Sequence, residues 1–437
     1  MPKAQRVLSH KKSVLSYPGV MEHAQQVALA LHESGELIAM VTSFVFREDR
    51  ILAELLKKLP ARNSTKLLRQ LRRRAITAIP SHLIHSYPFW ELVRSLLARS
   101  GAGAKTIDEA WAVMSHRFDA IVANRYVEGA DVIHAFEYTA LASFQRAAKV
   151  GTLRVLHLPS LDSKSYEDIK HREQSAWPDL KGPDDPYFES KFNERYERRL
   201  QEISLADIII VNSSLTKRSH VNAGADADKI YVVPLGAPPP ASEIELTTAT
   251  HIMNGTLTVL WAGNFSLGKG AQYFLEAWRQ LDATTNARAL VYGAISVPQG
   301  MLANPPTGIT FCGSVPQPEL FSAYVAADVL VCPSLSDGFG MVVTEALSRG
   351  LPVICTDQVG AADLIEHEVN GLIVKAADTN ALTDALCWCL DNRQKLTGMR
   401  HAALESARQY QWSDYRVALN AAFGQAYAKH FGQRHGA

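Results

Sequence analysis

The sequence has few cysteines, little net charge and no long hydrophobic run, and each absence excludes a class of protein. Only 5 cysteines occur among 437 residues, and all of them lie in the second half of the chain. Their odd number argues against a disulfide framework and favours a reducing compartment. The formal net charge is +1, so bulk charge gives the chain no general affinity for polyanions. No apolar run is long enough to span a bilayer.

Metal-binding and nucleic-acid-binding motifs are also missing. Cys387 and Cys389 are separated by Trp388 alone and have no partner pair, which argues against a zinc site. No nucleic-acid motif accompanies the basic residues, so we expect no nucleic-acid partner. The first residues are polar and lack the apolar core of a signal peptide. We therefore expect a cytoplasmic protein.

The composition is that of a globular chain with two domains. Apolar residues make up 47% and charged residues 20% of the sequence, and 437 residues suffice for two separate cores. The stretch from Ala237 to Thr250 contains three successive prolines and no periodicity. It reads as an interdomain linker, with a boundary at 245–246.

Both halves alternate strands with helices. Ser13 to Tyr17 reads as a strand that ends in the turn Pro18-Gly19, and an amphipathic helix and a second strand follow. In the second half, the strand from Leu257 to Ala262 runs into a glycine-containing loop and then a helix. This pattern predicts α/β domains with parallel sheets, which bind ligands at the carboxyl ends of their strands.

The stretch from Val331 to Gly350, VCPSLSDGFGMVVTEALSRG, combines a buried strand, a bend and a helix. Gly338 and Gly340 flank the bend, where a missing Cβ allows a ligand to approach the backbone. The free amides of the first helical turn form an anion site suited to a diphosphate. Glu345 on the helix is placed to accept hydrogen bonds from ribose hydroxyls. By spacing alone, a surface carboxylate on an ordinary helix is an equally good interpretation.

This stretch resembles the E-x7-E signature of the retaining GT-B glycosyltransferases, called glycosyl transferases group 1 or glycosyltransferase family 4. Gly338-Phe339-Gly340, Glu345-Ala346 and Gly350-Leu351-Pro352-Val353 match the family pattern, and Asp337 replaces its first glutamate. The resemblance implies an α/β GT-B fold of two facing Rossmann-like domains with a cleft between them. It places the acceptor on residues 1–245 and the nucleotide sugar on 246–405. It also implies that a terminal helix in 406–437 packs back on the first domain.

The resemblance also assigns roles to three predicted catalytic residues. Lys269 matches the family lysine that clamps the diphosphate leaving group. Asn264 replaces the arginine that shares this task, which removes a charge and a bidentate fork. Asp337 would contact sugar hydroxyls. His157, near the end of a strand, resembles a histidine that contacts the transferred sugar, although a buried core histidine is the alternative.

The other predicted donor-binding residues approach the donor mainly through their backbone. Gly19 matches the glycine-rich first loop of the family weakly, and Ser314 and Val315 follow the strand whose backbone reads the base. Together with Lys269 and Glu345, the donor set is Gly19, Gly263, Asn264, Ser314, Val315, Gly338, Phe339 and Gly340.

Residues 57–74 form a basic segment. Eight lysines and arginines occur there, leucines interleave with them, and no acidic residue follows until Glu91. Such a segment suits an anionic membrane surface, which would place the protein peripherally on the inner membrane face. A solvated helix face is the alternative.

From this resemblance we expect a retaining hexosyltransferase. It would move a sugar from a nucleotide-diphosphate sugar to a glycan or lipid-linked acceptor, in cell-surface polysaccharide or glycolipid synthesis. We expect no metal and no cofactor, because helix amides and Lys269 would carry the diphosphate charge. The alternatives are a degenerate member that acts as a binding scaffold, a sugar-nucleotide epimerase on the same fold, or another α/β nucleotide binder.

Overall fold

The computed structural model describes residues 11–46, 71–72, 74–178, 181–182, 184–242, 255–281 and 286–433. These residues form two parallel sheets covered by helices, which confirms the predicted α/β class. The amino-terminal unit consists of the described residues up to 242, and the carboxyl-terminal unit begins at 255. The predicted boundary at 245–246 lies outside the described residues.

The amino-terminal unit contains a sheet with strand order β3-β2-β1-β4-β5-β6-β7. Its strands pair in parallel, and β4 and β5 are buried almost throughout because helices cover both faces. The strands are β1 (Ser13–Ser16), β2 (Leu37–Thr42), β3 (Ile84–Ser86), β4 (Val132–Phe136), β5 (Leu153–Leu158), β6 (Ile208–Val211) and β7 (Ile230–Val232).

The helices of this unit are α1 (Glu22–Glu33), α2 (Phe89–Arg99), α3 (Ala104–Arg125), α4 (Leu141–Val150), α5 (Ser163–Ala176), α6 (Asp185–Leu205) and α7 (Ser214–Asn222). The loop from β1 to α1 leaves the carboxyl-terminal edge of the sheet. It therefore reaches the side on which open parallel sheets bind ligands.

The carboxyl-terminal unit has a second sheet with strand order β12-β10-β8-β13-β14-β15, and β9 pairs with β11 beside it. Its strands are β8 (Leu257–Ala262), β9 (Phe265–Ser266), β10 (Ala287–Tyr292), β11 (Ile295–Ser296), β12 (Ile309–Gly313), β13 (Val329–Cys332), β14 (Val353–Thr356) and β15 (Gly371–Val374). Its helices are α8 (Ala271–Gln280), α9 (Gln317–Ala326), α10 (Met341–Ser348), α11 (Thr379–Asp391) and α12 (Arg393–Gln409).

The last helix, α13 (Trp412–Gln433), returns to the amino-terminal unit and packs on α1. Arg416 bonds to Glu33 at 2.8 Å, and the Asn420 amide donates to the Ala30 carbonyl at 3.1 Å. Phe423 is buried there. The helix therefore lies behind the site-facing loop that leads into α1.

One segment differs from what its sequence indicates. The stretch that begins at Ser163 is polar and reads in the sequence as a loop, but it forms α5, which Asp162 caps by accepting the Ser165 N–H at 3.0 Å. Most of the basic segment 57–74 lies outside the described residues. Among the described helices, none has the length and hydrophobicity that crossing a membrane requires.

Candidate functional site

A cavity of about 310 Å³ lies between the two units, at the carboxyl-terminal edges of both sheets. We call it the cleft cavity. The amino-terminal unit lines it with Met21, Glu22, His23, Pro159, Asn212 and Leu235. The carboxyl-terminal unit lines it with 261–264, Lys269, 331–334, Asp337 and 339–342. Its position is the one at which doubly wound sheets bind nucleotides.

The bend after β13 is fixed by backbone contacts. The Asp337 N–H donates to the Gln358 carbonyl, and the Gly360 N–H donates to the Asp337 carbonyl, each at 2.9 Å. Gly340 has a φ of 85°, and a Cβ there would meet a Val359 methyl at 2.7 Å. Gly340 precedes α10 and has no side chain to cap it. The first amides of α10 therefore remain available to a ligand.

Lys269 and Asp337 meet at the wall of the cleft cavity. The Lys269 Nζ lies 2.6 Å from an Asp337 carboxylate oxygen, although the two residues come from different loops of the carboxyl-terminal unit. The bend after β13 carries Asp337, and the turn before α8 carries Lys269. The sequence predicted that both residues belong to the site, and the structure brings them together as an ion pair.

The ion pair keeps Lys269 charged. Burial lowers the pKa of Lys269, but the Asp337 carboxylate raises it more, so the pKa stays above its ordinary value. An ammonium carries three N–H donors, and Asp337 uses one of them. The lysine therefore has donors left for a second anion.

Glu345 lies half-buried in α10, one turn beyond the residues that line the cleft cavity. The Tyr324 hydroxyl donates to its carboxylate at 3.0 Å. Burial raises the pKa of Glu345, and this hydrogen bond and Arg349 oppose the rise. The ribose role predicted for Glu345 thus requires the nucleotide to extend along α10, past Met341.

We expect Glu345→Gln to raise the KM for a nucleotide sugar about tenfold, the cost of losing one charged acceptor for a ribose hydroxyl. Glutamine keeps the shape and still accepts from Tyr324. Steady-state kinetics with varied donor measures the effect, and the exposed Glu319→Gln on α9 is the matched control. An unchanged KM would remove Glu345 from the ribose site.

Gly338 contacts the amino-terminal unit and does not line the cleft cavity. The hydroxyls of Ser213 and Thr216 lie 2.8 and 3.0 Å from its carbonyl oxygen. A Cβ at Gly338 would stand 2.2 Å from the Pro159 carbonyl oxygen. The glycine therefore permits the close approach of the two units beside the cleft cavity.

The prediction that His157 faces the sugar is not what the structure has. His157 lies inside β5, before the strand ends, and its side chain is fully buried. The ring stacks on Phe136, with 5.0 Å between centroids, and its Nε2 lies 3.2 Å from the Nδ1 of His134. Pro159, just past the strand, lines the cavity instead. The alternative of a core histidine describes this geometry.

His23 and Trp261 also line the cleft cavity, and neither was predicted from the sequence to do so. His23 stands at the start of α1, and its Nε2 lies 2.9 Å from the Tyr415 hydroxyl of α13. The Trp261 ring packs against Phe265 and Phe274 in the core, and its buried N–H has no partner among the described residues. Position gave a signal for Trp261, which lies at the carboxyl end of β8, whereas His23 lies in the first turn of α1.

The buried histidines predict a loss of stability in acid. Burial lowers the pKa of His23 from 6.5 to about 4 and that of His134 to about 3, and the pKa of His157 also falls well below 6.5. As the pH falls, the unfolded chain protonates these histidines before the folded chain does. The stability that the neutral histidines contribute is therefore complete above pH 6.5 and declines below it. Each histidine lowers the free energy of unfolding by at most about 1.4 kcal/mol per pH unit.

Denaturant titrations at several pH values between 7 and 5 check this expectation. His134→Gln should reduce the pH slope by up to about 1.4 kcal/mol per pH unit. The exposed His401→Gln should leave the slope as it is in the parent. Equal slopes in the parent and in His134→Gln would contradict the expected contribution.

The remaining predicted donor residues divide into two groups. Gly263, Asn264, Phe339 and Gly340 line the cleft cavity. Gly19 does not: it borders a separate cavity with Tyr17 and Arg74, because the first turn of α1 lies between it and the cleft. Ser314 and Val315 follow the edge strand β12 and also lie outside the lining.

A set of possible metal ligands occurs on α5 and α6. Among the described residues, Glu167, His171 and Glu189 bring ligand atoms within 4.8 Å of one another. None of the three lines the cleft cavity. Lys170 lies 3.6 Å from Glu167 and competes for its charge. No further observation points to an ion there.

Residues 256–392 match the family model of the glycosyl transferases group 1, and the two-sheet fold is that of solved GT-B glycosyltransferases. The carboxyl-terminal unit is therefore similar to the glycosyl transferases group 1, and the chain has the GT-B fold. The match covers β8 to α11 and so includes Lys269, Asp337 and α10.

Relatives in sequence show the same similarity. The D-inositol 3-phosphate glycosyltransferase of Corynebacterium glutamicum is 29% identical over 265 residues, which are 54% of this chain and 62% of that protein. The enzyme of the same name from Nocardia farcinica is 28% identical over 54% of this chain and 56% of its own length. The chain thus spans about three fifths of these relatives.

Solved structures support the fold over nearly the whole chain. Anabaena HepE in complex with UDP and glucose has a TM-score of 0.61 and 15% identity, and the alignment covers 95% of this chain and all of HepE. Sucrose-phosphate synthase from Thermosynechococcus elongatus has a TM-score of 0.61 and 19% identity, over 95% of this chain and 99% of the synthase. The amino-terminal unit therefore shares the fold even though the family model does not reach it.

Proposed function

We propose that the protein is a glycosyltransferase that moves a sugar from a nucleotide-diphosphate sugar to an acceptor hydroxyl. The observation that carries the proposal is the cleft cavity itself. It combines a paired lysine and the open amides at the start of α10 in one space between two Rossmann-like units. These groups are donors, and a diphosphate supplies the matching acceptors.

In this proposal, the diphosphate lies against α10 and shares the ammonium of Lys269 with Asp337. Asp337 then also accepts hydrogen bonds from the sugar hydroxyls. As the bond from the anomeric carbon to the diphosphate breaks, negative charge grows on the leaving oxygen. Lys269 and the helix amides stabilise that charge where it develops, so they lower the barrier rather than only bind the donor.

We further propose retention at the anomeric carbon, as in the family 4 enzymes that the signature resembles. The acceptor oxygen attacks from the face that the diphosphate leaves, and the departing diphosphate takes the acceptor's proton. The product's anomeric configuration, read by NMR, tests this proposal, and an inverted product would reject it.

The donor is proposed from similar proteins. HepE was solved with UDP and with UDP-glucose, and the sequence relatives are named for an inositol phosphate acceptor. For this chain we propose a nucleoside-diphosphate hexose as donor and a glycan or lipid-linked acceptor, in polysaccharide or glycolipid synthesis. The basic segment 57–74 would hold the protein at an anionic membrane surface on the cytoplasmic side. Flotation with liposomes tests this, and equal binding with and without anionic lipid would reject it.

We propose that no metal takes part, because Lys269 and the amides supply the counter-charge. Turnover in the presence of a chelator tests this directly. A reaction that stops with chelator and resumes with added Mg²⁺ would reject it.

The decisive experiment is a screen for release of nucleoside diphosphate from UDP-, GDP- and ADP-sugars, with membrane extract as the source of acceptor. We expect release that depends on both donor and acceptor. Consumption of donor without acceptor would favour an epimerase. If calorimetry detects no nucleotide binding, a scaffold is favoured. The replacements Asn264 and Asp337 are the reason to consider that alternative.

A further inference from the structure

A second cavity, of about 440 Å³, lies entirely within the amino-terminal unit. We call it the arginine cavity. It is bounded by the loop residues 17–20, Arg74, Glu91 and Arg94 and, on α3, by Trp111 and Met114. Nothing in the cleft site uses these side chains.

A buried carboxylate holds two guanidinium groups at this cavity. Glu91 is 5% exposed and accepts from Arg94 twice, from Nε at 2.8 Å and from Nη2 at 2.7 Å. Arg74 Nη1 lies 2.8 Å from the same carboxylate. Burial raises the pKa of Glu91, but the contacts with Arg94 and Arg74 lower it by more than burial raises it. The pKa is therefore below its ordinary value, and Glu91 stays ionised. Two cations and one anion leave one positive charge in excess.

The arginines also keep donors free. A guanidinium has five N–H groups, and Arg94 spends its Nε and Nη2 on Glu91, so its Nη1 remains. The Arg74 and Arg94 side chains are 34% and 26% exposed, so both can be reached from the cavity. Paired guanidinium groups with free N–H donors match the oxygens of a phosphate or carboxylate.

The arginine cavity adjoins the cleft cavity. The loop between β1 and α1 borders both, with Val20 on the arginine side and Met21 on the cleft side. Adjacent Cα atoms are about 3.8 Å apart, so one peptide unit separates the two walls. The two cavities therefore lie on opposite sides of this loop.

We propose that the arginine cavity binds the acceptor through an anionic group, a phosphate or a carboxylate, held by Arg74 and Arg94. This proposal rests on the proposed sugar transfer and specifies its acceptor class. The acceptor's anion is held at the arginines, and the rest of the acceptor extends around the loop so that its hydroxyl enters the cleft cavity. Trp111 provides an apolar wall for the rest of the acceptor.

Calorimetry on the full-length chain with UDP present tests the proposal with two pairs of probes. Inositol 3-phosphate is compared with inositol, and glucuronate with glucose. We expect at least one anionic probe to bind ten times more tightly than its neutral partner, and the better pair distinguishes phosphate from carboxylate. If neither anionic probe binds more tightly than its neutral partner, the proposal is overturned.

Variants assign the binding to the cavity. Arg74→Gln should weaken the anionic probe about tenfold and leave UDP binding unchanged, whereas the exposed Lys105→Gln on α3 should change neither. Glu91→Gln makes the arginine cavity more positive, so this variant should bind the anionic probe at least as tightly as the parent. It tests the proposal even if Arg74→Gln fails to fold. Unchanged probe affinity in Arg74→Gln, or a tenfold loss in Glu91→Gln, overturns the proposal. Loss of UDP binding in the parent would instead count against the cleft site alone.

Discussion

Lys269→Ala is expected to lower turnover of a nucleotide sugar by about 10²- to 10³-fold, the usual cost of removing one preorganised partner of a leaving group. The expected loss of turnover is large because Asn264 stands where the family has an arginine that shares the charge of the diphosphate. Lys269 is also the cation that lies directly at Asp337 on the cavity wall. Its removal leaves that carboxylate facing a dianionic diphosphate, which adds repulsion to the lost attraction.

Single-turnover measurements of donor cleavage at saturating donor separate the chemical step from binding. Lys269→Arg should recover part of the rate, because it keeps the charge in another shape. Lys164→Ala, which removes an exposed lysine of α5, should behave as the parent does. If Lys269→Ala turns over at the parent's rate, the leaving group is stabilised elsewhere and the site assignment fails.

The sequence was informative about Lys269 and Asp337 because local backbone geometry places both. Each follows a buried strand of a parallel sheet and precedes a helix, so the strand ends alone bring the two loops to one edge. The ion pair between them could not be predicted, since their side chains meet only after β8 and β13 pair. Local pattern fixed the loops, and tertiary pairing fixed the contact.

The histidines show where a local pattern is insufficient. His157 was expected to point into the cleft because it stands near the end of a strand, yet β5 continues to Leu158 and its ring remains among buried aromatic rings. His23 reaches the cleft cavity because Tyr415, far along the chain, holds it from α13. Strand ends are uncertain by a residue or two in a sequence, and that uncertainty decides which side chain faces a ligand.

The fold was predictable because its strands have a clear local pattern, and helix α5 was missed because it has none. The apolar runs of β5, β6 and β8 are typical of strands buried on both faces, so the alternation of strands and helices indicated the two sheets. Helix α5 is polar, and its apolar period is too weak to indicate a helix. Two contacts stabilise the helix instead. Asp162 caps its first turn, and its Glu173 accepts from the Tyr273 hydroxyl of the carboxyl-terminal unit at 2.7 Å.

Gly338→Ala is expected to lower turnover by about 10²-fold or more while the protein stays folded. The added Cβ would stand 2.2 Å from the Pro159 carbonyl oxygen and 3.1 Å from the Ser160 Cα, and both of these are backbone atoms of the other unit. Backbone in a packed loop cannot rotate away as a flexible side chain can, so the two walls of the cleft cavity must separate. A misplacement of about 1 Å between reacting groups is enough for a loss of this size.

The two units can move apart without either core being disrupted, so we expect a small change in melting temperature beside the large change in rate. Small-angle scattering should report a more open molecule, and UDP should still bind through the carboxyl-terminal unit. Gly300→Ala is the matched control, because a Cβ at Gly300 meets nothing within 4 Å. Parent-like turnover in Gly338→Ala would mean that the closed contact between Gly338 and Pro159 is not needed for transfer, and that the reacting arrangement is more open than the one described.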